Sequence, residues 1–210
     1  MPLWGTAHAS ATNKPKFLPE DENSDYSRAD SYATQAGWVM QNGAATGNDN
    51  ASADLEVLVA IGGLAGATDT TGLRAPTVTD MRFVIGTTAT TDLTAGSSSQ
   101  RILVEISWDE GVTVAGSPRI VVDNGNQSSA GQGDYTLTYT ATGSTANRKR
   151  FTATNITVAE NDVTTLGGGS QADIALNSGT LSDTTVGGTT TAALRVLTAL
   201  SAQTQTTTAA

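Results

Sequence analysis

From Arg101 to Trp108 the chain alternates. Ile102, Val104, Ile106 and Trp108 hold the even positions, while Arg101, Glu105 and Ser107 hold odd ones, with Leu103 the exception. Side chains of a strand point to opposite faces in turn, so this spacing predicts a strand with one buried face. Fully burying side chains of this size contributes about 1.5–3 kcal/mol each. This stretch is therefore the expected central strand of the fold.

The same period recurs on both sides of it. Thr77–Ile85, with Val78, Met81, Phe83 and Ile85, predicts a preceding strand, and a Thr/Gly/Ser loop separates the two. Downstream, Val112–Val114 and Arg119–Val122 read as short strands around Gly116-Ser117-Pro118. Asp123-Asn124-Gly125-Asn126 is a turn signal, because Asn-Gly readily takes the positive φ that tight turns need. Tyr135–Thr140 alternates cleanly, with Tyr135, Leu137 and Tyr139 inward and threonines outward. Phe151–Val158, Asp162–Leu166 and Ile174–Leu181 supply the remaining strands, and Leu194–Leu200 reads as a last strand or a short helix. Short strands separated by turns at near-regular spacing predict an all-β sandwich with Greek-key connections.

Residues 1–50 break this regularity. Pro2, Pro15 and Pro19, an acidic cluster at Glu20, Asp21, Glu22 and Asp25, and irregularly spaced apolar residues predict an extended N-terminal arm. Its large aromatic residues argue against a merely solvated tail, since such side chains dominate contact energetics. Trp4, Phe17, Tyr26, Tyr32 and Trp38 are the expected partner-binding residues. Asp54–Ile61, with Leu55, Val57, Val59 and Ile61 on one parity, predicts a further strand. Residues 51–74 then form a strand and linker belonging to either the arm's docking element or the sandwich. Residues 75–200 are the sandwich, and the Thr/Gln/Ala stretch 201–210 reads as a flexible tail.

Composition narrows the functions open to this chain. Its 210 residues include 22 glycines and no cysteine, which excludes disulfides and thiolate metal sites. A net charge of −9 with 11 basic residues argues against a nucleic-acid partner held by general electrostatics. The longest apolar run, Leu55–Leu64, is interrupted by Glu56 and two glycines and is too short to span a bilayer. The reading is of a soluble chain with no cleaved signal and no membrane partner.

Candidate chemistry is sparse. The single histidine, His8, lies in the predicted arm, far along the chain from any folded serine–carboxylate pair, so a hydrolase triad is not expected. Zinc needs several His or Cys ligands, which the sequence does not supply. Asp123–Asn126 and Asp109-Glu110 carry oxygen ligands of the kind calcium takes, but a hydrogen-bonded turn is the simpler reading of each. Gly167-Gly168-Gly169-Ser170 lacks the following Lys of a phosphate loop. No catalytic, cofactor-binding or metal residues are assigned. Arg148-Lys149-Arg150, the basic cluster, could meet an acidic segment such as Glu20–Asp25 of another copy, and a solvated turn is the simpler expectation.

Two stretches carry a family likeness. Val112-Thr-Val-Ala-Gly-Ser-Pro-Arg-Ile-Val-Val-Asp-Asn-Gly125 resembles the V-x-V-x-G-x-P-x-L-x-L-x-x-G signature of bacterial and phage Ig-like, cadherin-like repeats. Tyr139–Gly143, Arg150-Phe151-Thr152 and Ala175–Asp183 continue the likeness, which spans roughly residues 75–195. Arg148-Lys149-Arg150 departs from it, standing where the family has a neutral turn and an apolar residue. Leu3-Trp4-Gly5, Asn13–Pro19, Gly37-Trp38-Val39 and Glu56–Ala60 are similar to the N-terminal region of small structural proteins of tailed phages, particularly those of marine cyanobacteria.

Together the resemblances imply a non-enzymatic virion structural protein with an Ig-like Greek-key β-sandwich behind an arm. The expected role is capsid decoration or cementing on the phage head. The partners would be the major capsid protein, other virion proteins and neighbouring copies, with the chain made in the bacterial host cytoplasm and residing on the capsid surface. The alternative is a tail, neck or fibre module that contacts the host surface or its glycans.

Overall fold

The computed structural model describes residues 30–34, 37–42, 50, 52–60, 75–84, 100–124, 134–156, 163–167, 173–183, 191–198 and 200–206. Among them there is no α-helix, and every strand pairing is antiparallel. The chain is all-β.

The first strands are β1 (Ser31–Thr34), β2 (Gly37–Met40) and β3 (Glu56–Ala60), which form a three-stranded sheet in the order β1-β2-β3. Next come β4 (Val78–Phe83), β5 (Gln100–Trp108), β6 (Val112–Ala115), β7 (Arg119–Asn124) and β8 (Tyr135–Thr140). The last strands are β9 (Arg148–Ile156), β10 (Val163–Leu166), β11 (Thr180–Asp183) and β12 (Gln203–Thr206). Seven of them build one sheet, β12-β10-β7-β8-β9-β5-β4, and β6 pairs with β11 in a two-stranded sheet. The β7-β8-β9 meander with β5 beside β9, reached through β6 in the other sheet, is a Greek-key connection.

The two layers meet over one core. Ile102, Val104, Ile106 and Trp108 of β5 pack there with Ile120, Val122, Leu137, Phe151 and Leu166 of the large sheet. Val112 and Leu181 supply the facing side from β6 and β11. The large sheet also curls, bringing β10 and β12 alongside β4. At the seam Gly167 has φ +78°, and a Cβ there would sit 1.8 Å from Met81 Cε. Any other residue would be strained at this φ and would have to push the Met81 side chain aside.

The predicted strands at Thr77–Ile85, Arg101–Trp108, Val112–Val114, Arg119–Val122, Tyr135–Thr140 and Asp162–Leu166 all match strands of the structure to within a few residues. Other expectations need correcting. β5 lies one strand in from the β4 edge, and β8 takes the middle of the large sheet. Its dominance comes from cover on both faces, since every residue from Ile102 to Glu110 is buried. Asp123 and Asn124 belong to β7 and pair with Thr165 and Thr164, so they extend the strand, while Gly125 and Asn126 of the expected turn lie outside the described residues. Ile174–Leu181 is interrupted: Ala175 makes a single bridge to Arg119, and then Asn177 and Ser178 take φ of 47° and 63°. That left-handed pair reverses the chain before β11 begins.

Of the expected strand or helix at Leu194–Leu200, the described residues 194–198 and 200 form neither. They form a strap across the end of the core, with Leu194 N–H bonded to Pro76 O at 2.8 Å and Trp108 Nε1–H donating to Leu194 O at 2.9 Å. Within the predicted flexible tail, Gln203–Thr206 instead pairs with β10 along four residues. Backbone pairing at a sheet edge needs no apolar side chains, which is why a Thr/Gln run can do it. The predicted extended arm of residues 1–50 is corrected from residue 31 onward, because Ser31–Met40 folds into a hairpin. Glu56–Ala60 joins that hairpin and not the sandwich, so the boundary expected at residue 50 falls inside one sheet. Residues 1–29 lie outside the described residues.

Candidate functional site

The outer face of β4, β5 and β9 carries the most concentrated chemistry of the described chain. Antiparallel register sets Glu105 opposite Arg82 on one side and Arg150 on the other. Arg148 stands opposite Ser107, two residues along the same face of β9. Cross-strand neighbours of this kind lie within side-chain reach, and opposite charges there attract.

Glu105 is only 1% exposed. Its Oε1 accepts from Arg82 Nη2 at 2.8 Å, Arg82 Nε at 3.1 Å and Arg148 Nη1 at 3.2 Å, and its Oε2 accepts from Arg150 Nε at 2.9 Å. Burial alone would push this carboxyl up, but the guanidinium groups of Arg148, Arg82 and Arg150 outweigh it and hold Glu105 below its ordinary value. Room for Arg150 comes from Gly143, at φ +74°, where a Cβ would come 2.1 Å from Arg150 Nη1.

Arg148 reaches one carboxylate more. Its Nη1 lies 2.9 Å from Asp30 Oδ1, with side-chain exposures of 8% and 1%. Asp30 immediately precedes β1, so this pair fastens the N-terminal hairpin to the large sheet. Asn147 Nδ2 donates to Ser31 O at 3.5 Å, and Ala33 N–H donates to Asp109 O. Asp109 is itself a corner: its Oδ1 accepts from Thr77 N–H at 2.6 Å. Both Asp109 and Glu110 are buried. Among the described residues the cluster thus brings Arg82, Arg148 and Arg150 to Glu105, and Arg148 also to Asp30.

The basic triplet is therefore part of a strand and of a buried network, not a solvated turn. Lys149 faces the other way, opposite Ile106, with its Nζ donating to Thr145 O. Burial pushes the Lys149 ammonium down to about 8. The signal for this arrangement was present in the sequence: a lone Glu in mid-strand, with arginines at matching parity on Val78–Phe83 and ahead of Phe151.

Of the residues expected to bind partners, Tyr32 and Trp38 are packed within the chain, at 6% and 4% exposure. Burial pushes the Tyr32 phenol up. They hold the hairpin in place and offer a partner little surface, which corrects their expected role as free anchors. Trp4, Phe17 and Tyr26 lie outside the described residues, as does His8. Large apolar side chains that are exposed include Leu55 and Val57, beside and on β3, and Val196. Comparison with protein-family models, with curated proteins and with solved structures finds no match.

Proposed function

We propose that the chain is a non-enzymatic structural protein of a tailed-phage virion, decorating or cementing the head. The observation that carries this reading is the ionic fastening at Asp30. Trp4, Phe17 and Tyr26 precede, in sequence, a buried carboxylate, Asp30, that Arg148 holds. Load on the segment before Asp30 passes directly into β9, the strand paired along β5. An arm that binds a lattice needs such a fixed root. Leu55 and Val57, exposed on the same small sheet, add apolar surface on that side. The partners are the major capsid protein and neighbouring copies, with Trp4, Phe17 and Tyr26 as contact residues.

The structure sets where the testing truncation must fall. Removing residues 1–50 would strip β1 and β2 from their seat and leave Arg148 without Asp30. Removing residues 1–29 keeps both. The shorter truncation is expected to abolish binding to heads while leaving an all-β circular dichroism spectrum and an unchanged melting temperature. Full-strength head binding by that truncated chain would overturn the reading.

A further inference from the structure

We propose that β1–β3 form a separately opening unit, fastened to the large sheet by the Asp30–Arg148 ion pair, and that neutralising Asp30 opens it while the large sheet stays folded. The proposal stands on three features of the structure, independent of the functional reading.

The first is the division of the apolar residues. Tyr32, Ala33, Trp38, Val39 and Met40 are all buried, yet none belongs to the core built on Ile102, Val104, Ile106 and Trp108. The second is the backbone. Among the described residues, no strand of the small sheet pairs with a strand of the large one. The third is the nature of the joint. Asp30 to Arg148, Asn147 to Ser31 O and Ala33 N–H to Asp109 O are polar contacts, each of which water can replace on opening. Units with separate apolar clusters and no shared strand pairing are those that open below the cost of global unfolding.

Asp30 is the controlling group because of what surrounds it. Arg148 faces it from β9 with Glu105 of β5 behind, and Asn147 and Asp109 contact the residues that follow it. If Asp30 loses its charge, Arg148 still has Glu105 at 3.2 Å, so the network of the large sheet survives. The hairpin, by contrast, loses its ionic contact with that sheet. Opening would free residues 30–42, a stretch of roughly 40 Å at full extension.

Hydrogen exchange of the full chain, read by mass spectrometry, tests this with D30N and D30E. In D30N, exchange in residues 31–40 should rise at least about tenfold, while 102–108 and 148–156 keep their protection. D30E should stay close to the unmodified chain. Unchanged protection of 31–40 in D30N, or a parallel loss in both regions, would overturn the proposal. If D30N does not fold, the unmodified chain decides. In low denaturant its residues 31–40 must exchange through a cheaper opening than 102–108, and equal protection rejects a separate unit.

Discussion

Replacing Glu105 by Gln keeps the shape of the side chain and removes its charge. In the intact chain that carboxylate receives bonds from Arg82, Arg148 and Arg150 in a face where it is 1% exposed. The amide would present an N–H group to at least one guanidinium, setting donor against donor. Removing one partner of a buried charge network costs about 3–5 kcal/mol, because the other charges stay buried. Arg82 and Arg150 retain 18% and 22% side-chain exposure, so water can partly reach them. The expected loss therefore sits near the lower bound, about 3 kcal/mol, against a total stability of roughly 5–15 kcal/mol.

Urea denaturation followed by circular dichroism measures it. With a slope of about 2 kcal/mol/M, the midpoint should fall by about 1.5 M. A second arm uses pH. Glu105 titrates below its ordinary 4.5, so its contribution is full above that value and fades as pH falls through the lower, folded value. The gap between the two proteins should accordingly close in acid. A midpoint shift below about 0.3 M near neutral pH, or a gap that widens on acidification, would refute the reasoning.

Three further outcomes are expected. F151A empties a fully buried ring position against Tyr139, whose ring centroid is 6.2 Å away, and should cost about 3–5 kcal/mol in the same urea assay. G116A forces a Cβ to within 2.7 Å of Gly179 Cα at a φ of +74°, and should lower stability by at least about 1–2 kcal/mol. Lys149 titrates in the folded chain at about 8 against an ordinary 10.5, so the unfolded chain binds more protons between those values. Stability should therefore rise from pH 8 to 10.5, and K149M should flatten that rise; an unaltered slope would mean the group is not desolvated.

Much of the sheet was legible because burial writes a period of two. Tyr135–Thr140 is the clearest case, with Tyr135 and Leu137 buried and Thr136 exposed as the alternation requires. Arg101–Trp108 was half legible. Its even face could be read from hydrophobicity, but its odd face looked solvated because Glu105 and Ser107 are polar. Glu105 on that face is paired with charges from β4 and β9, and pairing between distant strands leaves only a matching of parity in the sequence. The hairpin at Ser31–Met40 was missed for a related reason. Tyr32, Trp38 and Val39 each find cover, yet four-residue strands are too short to show a period. Gln203–Thr206 carries no apolar residue at all, so its place on β10 comes from backbone pairing alone. The candidate site was visible as residue types at Arg148–Arg150 and invisible as a network, since the carboxylates that pair with Arg148 and Arg150 lie 43 residues away and more.

The role we propose for this chain is that of a repeated part of a phage head. Quantitative mass analysis of purified virions from a phage whose genome carries this sequence tests that proposal directly. Hundreds of copies per particle, matching the symmetry of the head lattice, is the predicted result. About a dozen copies or fewer would place the chain at a vertex, neck or tail instead, and particles lacking it altogether would contradict the account.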